Sequence, residues 1–265
     1  MKRREFISAS CLAAAPLIGA SSIGQSTLSA ADGRSSAAKQ YLELRHYELE
    51  SEDHQNTFDD FLAQAAIPAL GKLGIGPVGV FKRADGKNSD LYVLLPHNSL
   101  ESVAGANTQM LATPQYQEAG RNVINSPKSS PVYKRLDSAL LLAFDDCPRV
   151  EVPSKKDTRV FQLRIYESHN TTKAKRKIEM FNKAEIALFR RTGLNPVFFG
   201  ESIVGGKMPN LTYMVGFDDT DAQKAAWGTF GKHPEWKKMS SDPYYKDTVS
   251  NITNIVLRPA PSSQI

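Results

Sequence analysis

The chain has 265 residues, of which 41% are hydrophobic and 23% are charged, and its formal net charge is +5. This composition is typical of a soluble globular protein with enough apolar material for a packed core. No run of basic residues is interleaved with aromatic residues, which argues against a nucleic-acid-binding groove. The densest basic cluster, TKAKRK at residues 172–177, is interpreted as the solvated start of a helix.

The N-terminal segment has the layout of an export signal. A basic start is followed by a weakly apolar, alanine-rich stretch and then by small residues. The stretch is too short and too polar to anchor the protein in a membrane. The letters RREFI at residues 3–7 match the twin-arginine pattern of bacterial signals. A general secretory signal or a disordered basic tail remain the alternatives.

We therefore predict a twin-arginine signal peptide over residues 1–31, cleaved after Ala30 or Ala31, and a linker over residues 32–39. The mature protein is expected to be bacterial and periplasmic or extracellular, and to have no membrane attachment. The twin-arginine export machinery is then a transient partner.

A duplicated segment organises the rest of the chain. The stretch YLELRHYELE at residues 41–50 returns as VFQLRIYESH at residues 160–169, at an offset of 119. Further matches follow in the same order at similar offsets, namely GIGPV with GLNPV, YVLLPHNS with YMVGFDDT, TPQY with HPEW, and SPVYK with DPYYK. Matches in constant order at nearly constant offset indicate an internal duplication.

Each copy predicts the same order of elements, β-α-β-β-α-β. An alternating strand opens the copy, a helix with an apolar stripe follows, and a strand hairpin comes next. Gly74 and Gly193 are expected to end the first helices, and Pro68 to kink or shorten the first of them. The second helices are predicted over 99–120 and 220–240. The fold class is α+β, with two tandem ferredoxin-like units.

The repeat sets the domain boundaries. Domain 1 is predicted over residues 40–145 and domain 2 over residues 159–258. Residues 146–158, which carry two prolines and mixed charge, form the linker, and residues 259–265 form a C-terminal tail. Cys147 is the single cysteine outside the signal segment, so no internal disulfide is expected. It is interpreted as incidental rather than as a catalytic thiol.

The motifs resemble the NIPSNAP family. ELRHYEL, GIGPVGVF and LYVLL look like one NIPSNAP domain, and QLRIYES, GLNPVFFGES, MPNLTYMVGFDD and HPEW look like another. The first copy departs from the pattern where PHNS replaces an acidic stretch and Tyr116 stands in the place of Trp236. The resemblance implies the dimeric α/β-barrel group, in which two ferredoxin-like sheets pair. Two copies in one chain are expected to pair and build the barrel internally. The resemblance implies no settled biochemical role.

The opening strands carry the candidate ligand-binding residues. Because side chains alternate along a strand, Phe161, Leu163 and Ile165 share one face, which we expect to meet the helices. The other face is expected to point into the barrel. Its residues in the two copies are Glu43, Arg45, Tyr47, Gln162, Arg164 and Tyr166.

Two interpretations of these residues stay open. The arginines could hold a carboxylate or an enolate while the tyrosines donate a hydrogen bond or a proton. Alternatively, each arginine is paired with an acid, Glu43 or Glu167, and fixes the interface between the sheets. The second interpretation is favoured because both copies share the feature.

Cofactor signals are weak. The histidines do not follow a metal-binding spacing, and no phosphate loop or nucleophile elbow is present. No cofactor is predicted. Haem held by His97, His169 or His233 is kept as the one alternative.

Three hypotheses of function follow. The first is a module that binds a small, partly apolar molecule or has a structural role, with self-association as a further option. The second is a cofactor-independent monooxygenase or isomerase that acts inside the barrel. The third is a haem-binding protein.

Overall fold

A computed structural model describes residues 38–265. The predicted signal peptide at 1–31 and most of the linker at 32–39 lie outside the described residues. Between residues 38 and 265, no helix is long and apolar enough to cross a membrane.

Repeat 1 has the predicted order of elements. Its strands are β1 (Tyr41–Glu48), β2 (Gly79–Arg83), β3 (Leu91–His97) and β4 (Arg135–Ala143). Its helices are α1 (Glu52–Phe61), α2 (Ile67–Lys72), α3 (Leu100–Leu111) and α4 (Pro114–Ile124), with a π-helical turn (Leu62–Ala66) between α1 and α2.

Repeat 2 follows the same plan. Its strands are β5 (Val160–Glu167), β6 (Asn195–Val204), β7 (Asn210–Phe217) and β8 (Asn251–Pro259). Its helices are α5 (Thr171–Met180), α6 (Ile186–Arg191), α7 (Thr220–Lys232) and α8 (Pro234–Ser240), with a π-helical turn (Phe181–Glu185) between α5 and α6. The β-α-β-β-α-β order is confirmed in both repeats.

The predicted second helices at 99–120 and 220–240 are each two helices. The breaks precede Pro114 and Pro234, which stand at the start of α4 and α8. Proline fits the first turn of a helix, but it cannot continue the helix before it, and it pushes the preceding residue into an extended conformation. Thr113 and His233 adopt that extended conformation.

Glycine ends the first helical segment of each repeat, as predicted. Gly74 and Gly193 have positive φ angles of 71° and 83°. The amide of the next residue then reaches back, from Ile75 to the carbonyl of Leu70 and from Leu194 to the carbonyl of Phe189. This is the hydrogen bond of a left-handed helix cap. Pro68 lies in the first turn of α2, so the π-helical turn precedes it and the helix does not end early.

The eight strands form one closed antiparallel barrel in the order β1-β3-β2-β8-β5-β7-β6-β4. Each repeat contributes a four-stranded sheet, and the sheets join where β2 pairs with β8 and β4 pairs with β6. The two repeats therefore build the barrel within one chain, as the family resemblance implied.

The barrel interior is packed with apolar side chains. Every strand contributes to it, and the cluster comprises Leu42, Leu44, Phe81, Tyr92, Leu94, Leu141, Ala143, Phe161, Leu163, Val197, Phe198, Met214, Leu257 and Ile265. Val150 and Val152 of the predicted linker pack against this cluster, and Ile265 of the predicted tail belongs to it. The interior is thus a core rather than a ligand chamber.

The predicted assignment of strand faces is wrong. Phe161 and Leu163 point into the barrel, whereas Tyr47 and Tyr166 belong to the two clusters formed between the sheets and the helices. By strand alternation, Arg45 and Arg164 lie on the same helix-facing side as these tyrosines. Both faces of each sheet are covered, so hydrophobicity did not distinguish them. The apolar cluster fills the interior, whereas Arg45 and Arg164 lie on the helix-facing side.

Candidate functional site

Each repeat has a cavity at the same place, between its sheet and its helices. The repeat-1 cavity measures about 270 Å³, and its lining includes Arg45, Tyr47, Phe58, Ala66, Asn107 and Tyr116. The repeat-2 cavity measures about 450 Å³, and its lining includes Arg164, Tyr166, Lys177, Glu185, Trp227 and Trp236. These six pairs are equivalent in sequence, at an offset of 119 before β3 and β7 and 120 after these strands.

Arg45 is neutralised by an acid on its own strand. Its Nε donates to Glu43 Oε1 at 2.7 Å, and its Nη2 donates to Glu43 Oε2 at 2.9 Å. Glu43 also accepts a hydrogen bond from Ser138, and His97 Nε2 lies 3.5 Å from its Oε2. Burial alone would raise the pKa of Glu43, but His97, Arg45 and Ser138 outweigh burial and lower that pKa to about 2. The favoured interpretation, an arginine paired with an acid, fits repeat 1.

Arg164 has no such partner. Among residues 38–265 it makes no ion pair within 4.0 Å, and its buried Nε has no hydrogen-bond acceptor. Its guanidinium carbon lies 4.9 Å from the ring centre of Trp227 and 5.3 Å from that of Tyr166. The rings cover its faces and leave its N–H edge as the part able to donate hydrogen bonds.

Gln162 explains why Arg164 is left without a partner. It stands where repeat 1 has Glu43, and its amide is already engaged. Its Nε2 donates to Asn254 Oδ1 at 2.7 Å, and its Oε1 accepts from Gln223 and from Trp227 Nε1. The predicted alternative acid, Glu167, instead bonds to Asn251 and lies 3.8 Å from Lys207. The interpretation of an arginine paired with Glu167 is therefore wrong for repeat 2.

A buried ion pair borders the repeat-2 cavity. Lys177 Nζ lies 2.7 Å from Glu185 Oε2, and both side chains are more than nine-tenths buried. Burial raises the pKa of Glu185, although Lys177 and Arg164 oppose the shift. In repeat 1 the equivalent positions hold Phe58 and Ala66, so the pair is specific to repeat 2.

Tyr166 on this wall contacts a second tyrosine, Tyr213, which is fully buried behind it. The hydroxyls of Tyr166 and Tyr213 lie 3.0 Å apart, and burial raises the pKa of both phenols. The strand register places Tyr213 opposite Arg164 and Val93 opposite Arg45. Tyr213 is therefore equivalent to Val93, and the repeat-1 wall has no matching hydroxyl.

The family follows from a match over most of the chain. A model of the NIPSNAP family matches twice, at residues 42–148 and 161–264. The chain belongs to the NIPSNAP family. No curated protein matches it in sequence.

Solved structures share the fold at low sequence identity. A protein of Lactobacillus acidophilus, provisionally described as a monooxygenase, is 11% identical with a TM-score of 0.60, covering 83% of this chain and 94% of that one. A protein of Fusobacterium nucleatum with the same description is 10% identical with a TM-score of 0.56, covering 84% and 93%. A haem-binding protein of Thermus thermophilus is 12% identical with a TM-score of 0.45, covering 84% and 92%. At these identities the first two similarities show the fold alone, and the similarity to the third is too low to show more.

Two of the three histidines considered as haem ligands in this NIPSNAP protein have other contacts in the structure. His97 is fully buried, and its Nδ1 lies 2.9 Å from Ser102 Oγ. The Nδ1 of His233 accepts the amide of Glu235 and caps α8. His169 is exposed after β5. In the part of the chain that the structure describes, no group of three or more His, Cys, Asp or Glu side chains could hold a metal ion.

Sequence reasoning found some of the cavity residues and missed others. Arg45, Tyr47, Arg164 and Tyr166 line the cavities, although on the helix-facing side of the sheets. Lys177 was grouped with the solvated TKAKRK cluster, yet it is 4% exposed. One signal was present in the sequence: Lys177, Phe181 and Glu185 recur at a spacing of four, which places both charges on the apolar stripe of the helix.

Proposed function

We propose that the repeat-2 cavity binds a small organic anion, a carboxylate or an enolate, that carries an aromatic or other flat apolar body. Arg164 carries this proposal, because it is a cation with a buried, unsatisfied donor on the wall of a cavity. An unpaired arginine in such a place costs free energy that an anionic ligand would recover.

The shape and charge of the cavity support the same ligand class. Its volume of about 450 Å³ lies within the range of small-molecule sites. Aromatic walls from Phe189, Trp227, Phe230 and Trp236 suit a planar body. Because Lys177 and Glu185 offset each other, Arg164 leaves the lining with one net positive charge.

Tryptophan fluorescence tests the proposal directly, since both tryptophans of the chain line this cavity. We expect 3-phenylpropanoate to change the tryptophan emission in a saturable way and to bind more tightly than the uncharged 3-phenylpropanamide. Arg164→Gln should weaken binding of the acid at least about tenfold and leave the amide nearly unaffected. Equal affinity for acid and amide would contradict the proposal.

Gln162→Glu supplies a matched control. It gives Arg164 the partner that Arg45 already has, without removing the arginine. The carboxylate should occupy the N–H edge of Arg164 and abolish the preference for the acid over the amide. If Gln162→Glu kept that preference, Arg164 would not be the anion-binding group.

A second candidate function is proton transfer on the bound molecule, which the Lys177–Glu185 pair favours. A buried carboxylate with a raised pKa suits general acid–base chemistry, and Arg164 could stabilise an enolate oxygen. Such a step would make the protein an isomerase, or would precede the reaction of an enolate with oxygen in a cofactor-independent monooxygenase. Two relatives in fold carry a provisional monooxygenase description.

Hydrogen–deuterium exchange separates the enzyme from the binding module. If Glu185 acts as a base, exchange at the carbon next to the keto group of phenylpyruvate in D₂O should be faster with the protein than without it. Glu185→Gln should remove the acceleration without weakening binding, as followed by tryptophan emission, because Arg164 remains and the lining gains positive charge. Binding of phenylpyruvate without accelerated exchange would leave the binding function and exclude proton abstraction from this ligand.

The twin-arginine pattern at residues 3–7 supports a proposal for where the protein acts. We propose that the protein works after twin-arginine export, outside the bacterial cytoplasm. Changing both arginines of the pair, Arg3→Lys with Arg4→Lys, should retain a longer precursor inside the cell. Fractionation with immunoblotting checks this expectation, and unchanged export would point to the general secretory route.

A further inference from the structure

The repeat-1 cavity is lined from the same positions as the repeat-2 cavity, but its lining carries a different charge. The positive charge of Arg45 is neutralised, because Glu43 accepts hydrogen bonds from its Nε and Nη2 atoms. The places of Lys177 and Glu185 are taken by Phe58 and Ala66. An anion entering this cavity would find no free cation and would lose its hydration.

Hydrogen-bonding groups nevertheless remain on this wall. Asn107, Tyr116 and Tyr133 line the cavity, and their side chains make no hydrogen bond with any residue between 38 and 265. Tyr47 has one long contact, 3.5 Å from Arg45 Nη1. The rest of the lining is aliphatic or aromatic, including Leu62, Met110 and Val123. An apolar pocket with a few unused polar groups suits a neutral molecule with one hydroxyl or carbonyl.

We propose that the repeat-1 cavity is a second binding site, selective for an uncharged single-ring aromatic molecule with a hydroxyl group. The volume of about 270 Å³ and the mostly aliphatic and aromatic lining suit a small single-ring body. Duplication has thus given one chain two sites at equivalent positions, one suited to an anion and the other to an uncharged molecule. This site does not depend on the ligand proposed for repeat 2.

The absence of tryptophan from the repeat-1 lining gives a clean assay. Both tryptophans lie in the repeat-2 cavity, so a ligand of repeat 1 should bind without quenching them. The probe is p-cresol, which is uncharged at neutral pH, and its matched anion is 4-hydroxybenzoate. We expect calorimetric titration to detect the binding of p-cresol. A parallel fluorescence titration should show little change in tryptophan emission. The p-cresol should bind at least about tenfold more tightly to repeat 1 than 4-hydroxybenzoate does.

Two variants assign the site. Ala66→Leu fills part of the cavity and should reduce the affinity for p-cresol. Asn107→Trp installs the residue that repeat 2 has at this position, and its emission should respond to p-cresol. The second variant keeps the test usable if the first does not fold, because Asn107 is exposed at the cavity wall.

A third variant tests the charge selectivity. Glu43→Gln releases Arg45 and recreates the arrangement of repeat 2. In the Asn107→Trp background it should raise the affinity for 4-hydroxybenzoate at least about tenfold. Three outcomes would overturn the proposal. They are no binding of p-cresol, binding of p-cresol that quenches Trp227 and Trp236 in the parent protein, or equal affinities for 4-hydroxybenzoate and p-cresol in an Asn107→Trp protein that also carries Arg164→Gln to weaken anion binding in repeat 2.

Discussion

Arg45 and Arg164 occupy equivalent positions on β1 and β5, and one neighbouring residue decides what each can do. Glu43 holds the guanidinium of Arg45 with two short hydrogen bonds. Gln162 turns its amide to Asn254, Gln223 and Trp227 and leaves Arg164 free. A substitution of one oxygen by one amide nitrogen thus separates a structural ion pair from a candidate anion site.

The Glu43–Arg45 pair predicts a pH dependence of stability. The pKa of Glu43 is lowered from 4.5 to about 2 in the folded protein. A lowered pKa means that the carboxylate stabilises the fold above about pH 4.5 and that this contribution is lost as the pH falls toward 2. Glu43→Gln should therefore cost about 2–3 kcal/mol near neutral pH and progressively less below pH 4.5. Urea denaturation of both proteins across this range checks it, and a constant difference would contradict it.

The Lys177–Glu185 pair predicts a large effect of single substitutions and a small effect of the double one. Lys177→Phe alone leaves a buried carboxylate without a partner, which should cost about 3–5 kcal/mol in the free energy of unfolding. Lys177→Phe with Glu185→Ala copies Phe58 and Ala66 of repeat 1 and should recover most of that loss. Chemical denaturation of the three proteins tests the coupling. A double variant as unstable as the single one would show that the ion pair itself is required.

At the residue level, the sequence revealed which strand residues matter but not which way they face. Arg45, Tyr47, Arg164 and Tyr166 were singled out because both copies carry them. Their direction was predicted from the apolar face formed by Phe161 and Leu163. A strand covered on both sides gives no amphipathic signal, so only the closed barrel, which needs the most apolar face inside, decides the direction.

At the level of elements, glycine provides a matched pair of substitutions with opposite signs. Gly193 ends α6 with a φ of 83°, which side chains with a Cβ adopt only under strain. Gly228 lies inside α7, and an added Cβ would meet no atom within 4 Å. Gly193→Ala should lower the free energy of unfolding by about 1 kcal/mol, whereas Gly228→Ala should raise it by up to about 1 kcal/mol. Thermal denaturation distinguishes these directions, and a loss in both variants would contradict the argument from backbone conformation.

Element order was predictable, but element ends and register were not. The glycine caps and the hairpins follow from local residue chemistry, which the sequence displays. The breaks before Pro114 and Pro234 were hidden because each apolar stripe continues across them. The sequence alignment of the repeats matched Tyr213 with Tyr92. The strand register instead sets Tyr213 opposite Arg164, as Val93 is opposite Arg45, so Tyr213 is equivalent to Val93. Pairing across strands, which sequence similarity does not report, decides which tyrosine reaches the hydroxyl of Tyr166.

At the scale of the whole molecule, the two junctions of the barrel are of one kind. β2 is equivalent to β6, and β4 is equivalent to β8, so the pairs β2–β8 and β4–β6 repeat the same edge contact. The contact joins the second strand of one repeat to the last strand of the other. Such an arrangement needs two repeats, but it does not need them in one chain.

A single repeat should therefore close the barrel with a second copy of itself. Residues 159–265 alone would expose the edges of β6 and β8 and the apolar face that carries Phe161, Leu163 and Phe198. Two copies can pair β6 of one with β8 of the other, twice, and bury both faces. We expect light scattering to give twice the mass of the fragment, and an added fragment of residues 38–158 to compete for the same edges and form a mixed pair. A folded monomer of residues 159–265 would contradict this, because it would mean that one sheet with its helices is stable without the barrel core.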